Sequence, residues 1–269
     1  MWNPRILLFT LFAVLLSAAQ PAPPPPMKPP VLLPGEGFAI SRGDGDFNAY
    51  GEAEKEAPMG SLAKLVWMRL EGSEWASRNV KYRCKGTDGA FTCWNREGHG
   101  RMDLGWALRD SCNLAFLCWI GESQARWKTE YGEAVARVRM EDVFAPFLGR
   151  RLPPGDTLPP LTAAWVGDGD LLRTSPAGFL RWLLEPDKEE VAVFGRRFLA
   201  GSMVEFNDLV GKQNWWFKTG TAPVTGEPTA TSAWVAGGLG STLVVLHLPR
   251  GRGKQEGLVR IREILGLKG

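Results

Sequence analysis

Ser61-Leu62-Ala63-Lys64 is the stretch that decides how this chain is read, because two further short runs follow it in order. Ser111-Cys112-Asn113 comes next, and Lys218-Thr219-Gly220-Thr221 closes the set. Serine is a poor nucleophile at its free pKa and needs a base beside it. Residues three apart on a helix share a face, so Lys64 sits one turn behind Ser61 and can reach its hydroxyl. The chain has only two histidines, His99 and His247, so the base is a lysine or a carboxylate. A lone Ser-x-x-Lys means little; three elements in this order, each in a fitting context, carry weight.

Together these residues resemble the penicillin-recognising serine enzymes: penicillin-binding transpeptidases, D-alanyl-D-alanine carboxypeptidases and serine β-lactamases. Neighbouring stretches resemble the transpeptidase branch. Pro58-Met59-Gly60-Ser61 is similar to that family's approach to its nucleophile, and Gly98 to Leu104 with Ala107 to Asn113 to its run into the second motif. Gly167-Asp168-Gly169 and Thr174-Ser175-Pro176 are similar to the turn and helix start between its second and third motifs. The resemblance covers roughly Gly37 to Leu267.

It implies that Ser61 attacks a D-Ala-D-Ala peptide of peptidoglycan, or a β-lactam ring, and forms an acyl-enzyme. Lys64 would take the serine proton, and Ser111 and Asn113 would relay a proton to the leaving group and bond the substrate amide. Lys218, Thr219, Gly220 and Thr221 would complete the site, with no cofactor and no metal. Envelope proteins are further possible partners. The motif spacing is compact, 50 residues from Ser61 to Ser111 and 107 from there to Lys218, closer to class D β-lactamases than to large transpeptidases. Yet Asn113 stands where class D enzymes carry valine or isoleucine, and the class A Glu-x-x-x-Asn motif is absent. The reading that follows is a D,D-peptidase or transpeptidase, with a class D-like β-lactamase and a binding or sensor module that stays acylated as alternatives.

The residues support these roles on their own terms. Ser61 follows Gly60 at a helix start, where its N–H can face an oxyanion; taken alone it reads as an N-cap. Leu62, Ala63, Leu65 and Val66 suit desolvation of Lys64, which lowers a lysine pKa; taken alone it is a snorkelling surface lysine. Lys218 and the Thr219 and Thr221 hydroxyls, on a predicted strand, are donors suited to a carboxylate, and Gly220 leaves room for close approach. The bland alternative is an edge-strand surface run. His99, between two glycines, reads as a turn-stabilising residue, and Trp234 as packing or a cleft wall.

The first 19 residues read as a signal peptide: Arg5, then an apolar core from Ile6 to Leu16, then Ser17-Ala18-Ala19. That core is short of the roughly 20 residues needed to cross a bilayer, so the expected location is periplasmic or secreted, an uncleaved anchor being the alternative. Residues 20–36 read as a Pro-rich linker, with eight prolines between Pro21 and Pro34. Residues 37–269 form one domain. A net charge of +3 holds no basic cluster demanding nucleic acid. The four cysteines of an exported chain are compatible with disulfides: Cys84 and Cys93 flank a loop they could close, and Cys112 and Cys118 read as buried apolar thiols. Zinc finds no Cys-x-x-Cys or paired-histidine spacing.

Gly37 to Ile40 and Phe47 to Glu52 read as a hairpin around residues 43–46, Ser61 to Leu70 as a helix stopped at Gly72, and Pro176 to Leu184 as a helix capped by Ser175. Trp215 to Thr221, Ala233 to Leu239 and Thr242 to Leu248 read as strands, and Gln255 to Leu265 as a closing helix. Strands at both ends with helices between predict an α+β fold: an antiparallel sheet from the two termini, flanked by helices, with a mostly helical lobe inserted. One rival is a nucleophile elbow at Gly121-Glu122-Ser123-Gln124-Ala125 with His247 downstream; it lacks the last glycine and any strand–helix alternation.

Overall fold

The computed structural model describes residues 28–43, 46–149, 152, 155, 157–185 and 215–267. The signal peptide, the first part of the linker and the tip of the first hairpin lie outside these. Strands β1 (Gly37–Ser41), β2 (Asn48–Gly51), β3 (Ala57–Pro58), β4 (Lys81–Cys84), β5 (Thr87–Asp88), β6 (Phe91–Thr92), β7 (Gly100–Asp103), β8 (Arg173–Thr174), β9 (Trp216–Val224), β10 (Glu227–Leu239) and β11 (Thr242–Leu248) alternate with helices. The helices are α1 (Ala63–Ser77), α2 (Leu104–Arg109), α3 (Asn113–Tyr131), α4 (Glu133–Phe144), α5 (Pro176–Leu184) and α6 (Leu258–Leu265). Among the described residues, no helix is long and apolar enough to cross a membrane.

The main sheet runs β2-β1-β11-β10-β9, antiparallel throughout, so N-terminal strands sit beside C-terminal ones as predicted. All of β1 is buried, which requires cover on both faces. Helix α5 packs on β1 and β11. Successive side chains of β10 point to opposite faces. On one face Val235 meets the segment Gly253–Gly257 that leads into α6; on the other the Trp234 indole donates to Pro58 O at 2.7 Å and lies against His247. The segment leading to Ser61 is thereby fastened to the Trp234 face.

Inserted between β3 and β8 is the helical lobe, built on a chain of aromatic contacts. Trp67 stacks on Trp127 and meets Phe144, which meets Trp165, while Trp75, Phe116 and Trp119 form a second group. Each buried phenylalanine or leucine of such a core contributes roughly 1.5–3 kcal/mol. One buried carboxylate, Glu71, is fully partnered: Arg126 pairs with it, Ser123 Oγ donates at 2.9 Å and Trp127 Nε1 at 3.2 Å.

Several local expectations change. Gly72 does not stop α1, which continues to Ser77, because Gly72 is buried in the lobe and packing overrides its weak propensity. Strand β10 begins at Glu227, before the predicted Ala233, since β9 extends to Val224 and pairs with it across a bulge. The last linker residues dock on the domain: buried Glu36 accepts from Leu33 N and pairs with Arg260, which also donates to Val31 O. The elbow rival fails outright. Ser123 lies mid-helix in α3, buried on Glu71, and His247 packs on Trp234, 0% exposed.

Candidate active site

Ser61 sits in a 3-10 turn, Gly60–Leu62, that leads into α1. The cap position of α1 is Leu62, without a side-chain bond, so the Ser61 hydroxyl has no capping duty. It accepts instead from Lys64 Nζ at 2.9 Å. The same ammonium donates to Asn113 Oδ1 at 2.8 Å and to Val166 O at 3.2 Å, which uses all three of its donors. Lys64 is fully buried, and burial pulls its pKa down to about 8, against the opposing pull of Cys112, Cys93 and Asp168. A lysine near that value is neutral often enough to take a proton at physiological pH.

The second motif lies in the turn between α2 and α3. Asp103 caps α2 by accepting from Trp106 N at 2.9 Å, and Ser111 adopts φ +51°, an uncommon conformation for a residue with a side chain. This turn aims Ser111 Oγ at Lys218 Nζ, which also donates to Thr219 O at 2.6 Å. Lys218 is only 1% exposed, and burial, followed by the charge of Lys64, holds its pKa well below the usual lysine value. Two hydrogen-bonded lysine–serine pairs thus stand side by side. Lys218 does not open onto the cleft, so the expectation that it binds a carboxylate directly gives way to a contact with Ser111.

The third motif lies on β9. A Cβ on Gly220 would stand 3.1 Å from Met59 O and 3.2 Å from Ser61 N. Any larger residue would push the strand and the Gly60–Leu62 turn apart by a few tenths of an ångström. Thr221 Oγ1 accepts from Gly253 N at 3.1 Å, which ties the motif to the segment entering α6.

Ser61, Ser111, Asn113, Thr219, Gly220 and Thr221 all line one cleft of about 630 Å³. Sequence reasoning missed several of its walls. The Val166 carbonyl is a backbone group and leaves no side-chain signature, while Trp94, Arg252 and Lys254 lie outside every motif; Asp168 belongs to the Gly167-Asp168-Gly169 stretch. The basic run Arg250-Gly251-Arg252-Gly253-Lys254 was the one available signal. Trp234, fully buried behind β9, is packing and not a wall.

No family model matches the sequence, and no curated protein does. Solved structures do match. A peptidoglycan synthase complex that coordinates polymerization and crosslinking superposes with TM-score 0.56 at 16% identity, covering 81% of this chain and 48% of the other. The D,D-transpeptidase domain of a peptidoglycan glycosyltransferase from Eggerthella lenta gives 0.55 at 14%, covering 81% and 66%. A class D β-lactamase from Fusobacterium nucleatum subsp. polymorphum gives 0.51 at 14%, covering 85% and 88%. The chain has the penicillin-binding transpeptidase and serine β-lactamase fold. It spans about half the length of the synthase chain it matches.

Within this fold the cysteines depart from expectation. All four are free, so Cys84 and Cys93 form no disulfide. Cys93 turns instead toward Cys112, 3.9 Å away between sulfurs, and His99 Nδ1, 3.5 Å away. Cys118 is partly exposed on α3, beside Glu122, and is not a core thiol. His99 faces the cysteines rather than its own turn, and its other ring nitrogen is buried without a partner among the described residues. The sequence shows no metal-ligand spacing, yet the ligand atoms of Cys84, Cys93, His99 and Cys112 lie within 4.8 Å of one another.

Proposed function

We propose that this protein is a penicillin-binding serine D,D-peptidase or transpeptidase of the periplasm or cell exterior, acting on D-Ala-D-Ala stem peptides of peptidoglycan. The observation that carries this reading is the buried Lys64 ammonium bridging Ser61 Oγ and Asn113 Oδ1. Ser61 Oγ attacks the carbonyl carbon of the scissile amide while its proton passes to neutral Lys64. The backbone N–H groups of Ser61 and Thr221 receive the oxyanion. Collapse expels the leaving amine, which takes a proton from Ser111 Oγ, and Lys218 replaces that proton. Asn113 holds the substrate amide, and Thr219, Thr221, Arg252 and Lys254 offer donors to the terminal carboxylate.

The fate of the acyl-enzyme separates the possible activities. Lys64 has hydrogen-bond partners on all three donors, including polar Asn113, rather than the unengaged neutral amine that adds carbon dioxide. The cleft carboxylates are Asp168, which is exposed, and Asp110, which pairs with Arg109 at 3.0 Å. Slow deacylation follows. The test is nitrocefin hydrolysis with and without bicarbonate. A stoichiometric burst followed by silence is expected; many turnovers per second that rise with bicarbonate would overturn the peptidase reading in favour of a class D-like β-lactamase.

A further inference from the structure

Cys84 ends β4, Cys93 follows β6, His99 precedes β7, and Cys112 lies between the two functional residues of the second motif, Ser111 and Asn113. The three thiols are almost completely buried, and the ligand atoms of all four residues lie within 4.8 Å of one another. We propose that these residues form a structural zinc site, three thiolates and one imidazole, that fastens the second-motif turn to the β4–β7 hairpin.

Two of the separations match that ion, and the rest lie within about an ångström of its requirement. With Zn–S near 2.3 Å and Zn–N near 2.0–2.1 Å, tetrahedral angles place two sulfurs about 3.8 Å apart and a sulfur and nitrogen about 3.6 Å apart. The structure gives 3.9 Å for Cys93–Cys112 and 3.5 Å for Cys93–His99 Nδ1. A disulfide would use two sulfurs and strand the third beside the imidazole, whereas one tetrahedral ion uses all four ligands. The set is the soft one that selects zinc over magnesium or calcium.

Local backbone is shaped to bring the ligands in. Cys93 N donates to Gly86 O at 2.8 Å, folding the β5–β6 loop back on Cys84. Gly86 and Gly98 adopt φ +87° and +84°, and a Cβ at either would run into opposing backbone, Arg96 O at 1.9 Å and Cys84 O at 2.4 Å. Neither turn could carry a side chain. Binding would release the thiol protons and leave the imidazole neutral, bonded through Nδ1 with its proton on Nε2.

The site adjoins the chemistry without entering it. Cys112 is the residue between Ser111, which meets Lys218, and Asn113, which meets Lys64. Anchoring Cys112 fixes the strained Ser111 backbone and both contacts, so the cluster positions the second motif.

The exported full-length protein, purified without chelator, should carry about one zinc per chain by elemental analysis. Cys84→Ser, Cys93→Ser and His99→Ala should each retain less than about a tenth of it, and Cys118→Ser all of it. Cobalt in place of zinc should give the intense visible bands of a tetrahedral thiolate site. Stripping zinc from folded wild-type protein should slow penicillin acylation at least about tenfold, and zinc should restore it. Metal content is read without any acylation, so failure of the peptidase reading leaves this part standing. Metal-free protein with two thiols blocked until reduction would overturn the proposal, as would full zinc retention in Cys93→Ser together with His99→Ala. Unchanged acylation after removal of the metal would overturn its positioning role.

Discussion

Replacing Asn113 with alanine removes one of three acceptors from a lysine that has no access to water. Lys64 Nζ is 0% exposed and meets Asn113 Oδ1 at 2.8 Å. A hydrogen bond to a charged group is worth about 1.5–3 kcal/mol, and losing it penalises only the ammonium. At about 1.36 kcal/mol per unit, the Lys64 pKa should fall by one to two units. The starting value is about 8, held down by burial. The sign is fixed: the charged form loses a partner, the neutral base gains population at lower pH, and the acid limb of the profile moves toward acid. The assay is the second-order rate of acylation by a fluorescent penicillin from about pH 5.5 to 9.5. In the wild type the rate should climb through a midpoint near 8. In Asn113→Ala the midpoint should lie near roughly 6–7, and the plateau should be lower because the substrate amide has lost its partner. A lower plateau with an unmoved midpoint would refute the claim that Asn113 tunes Lys64, and would leave it a substrate contact only.

Two further expectations concern what holds the site. Trp234→Phe deletes the 2.7 Å bond to Pro58 O and leaves that buried carbonyl without its indole partner; urea unfolding should show a loss of about 1–3 kcal/mol, and acylation should slow as the nucleophile turn loosens. Glu71→Gln removes the buried carboxylate from Arg126, which keeps its second pair with Glu74; a loss of about 1–3 kcal/mol is expected by the same measurement, and less than about 1 kcal/mol would mean that the network is solvated.

The strongest signals in the sequence were those with a local mechanism. Ser175 before Pro176 gave an N-cap and a helix start, and Ser175 Oγ accepts from Gly178 N at 3.0 Å. The glycine-bounded apolar runs near the C-terminus gave the sheet, because buried central strands carry continuous apolar sequence. Ser61, Ser111, Asn113 and Thr219 to Thr221 converge on one cleft, with Lys64 and Lys218 buried directly behind it. What sequence could not convey depends on tertiary proximity. Lys64 gains the Val166 carbonyl from the far side of the inserted lobe. Lys218 turns inward to Ser111, which no strand pattern announces. The cysteines were paired by nearness in sequence, yet Cys93 faces Cys112 because a hairpin and a helix start meet there. Gly72 does not act as a stop, since burial in the lobe outweighs an intrinsic penalty of about 1 kcal/mol.

The account rests on Ser61 becoming an ester that lasts, and intact-mass analysis after incubation with penicillin reads this directly. Wild-type protein should gain the mass of one drug molecule, peptide mapping should place it on Ser61, and the adduct should persist after free drug is removed. Ser61→Ala should remain unmodified yet still fold, with a loss of no more than about 1.5–3 kcal/mol, because the Ser61 hydroxyl caps no helix and among the described residues bonds only Lys64, which keeps its other two acceptors. An adduct on Ser61→Ala at the wild-type rate, or on any other serine of the wild type, would contradict the assignment.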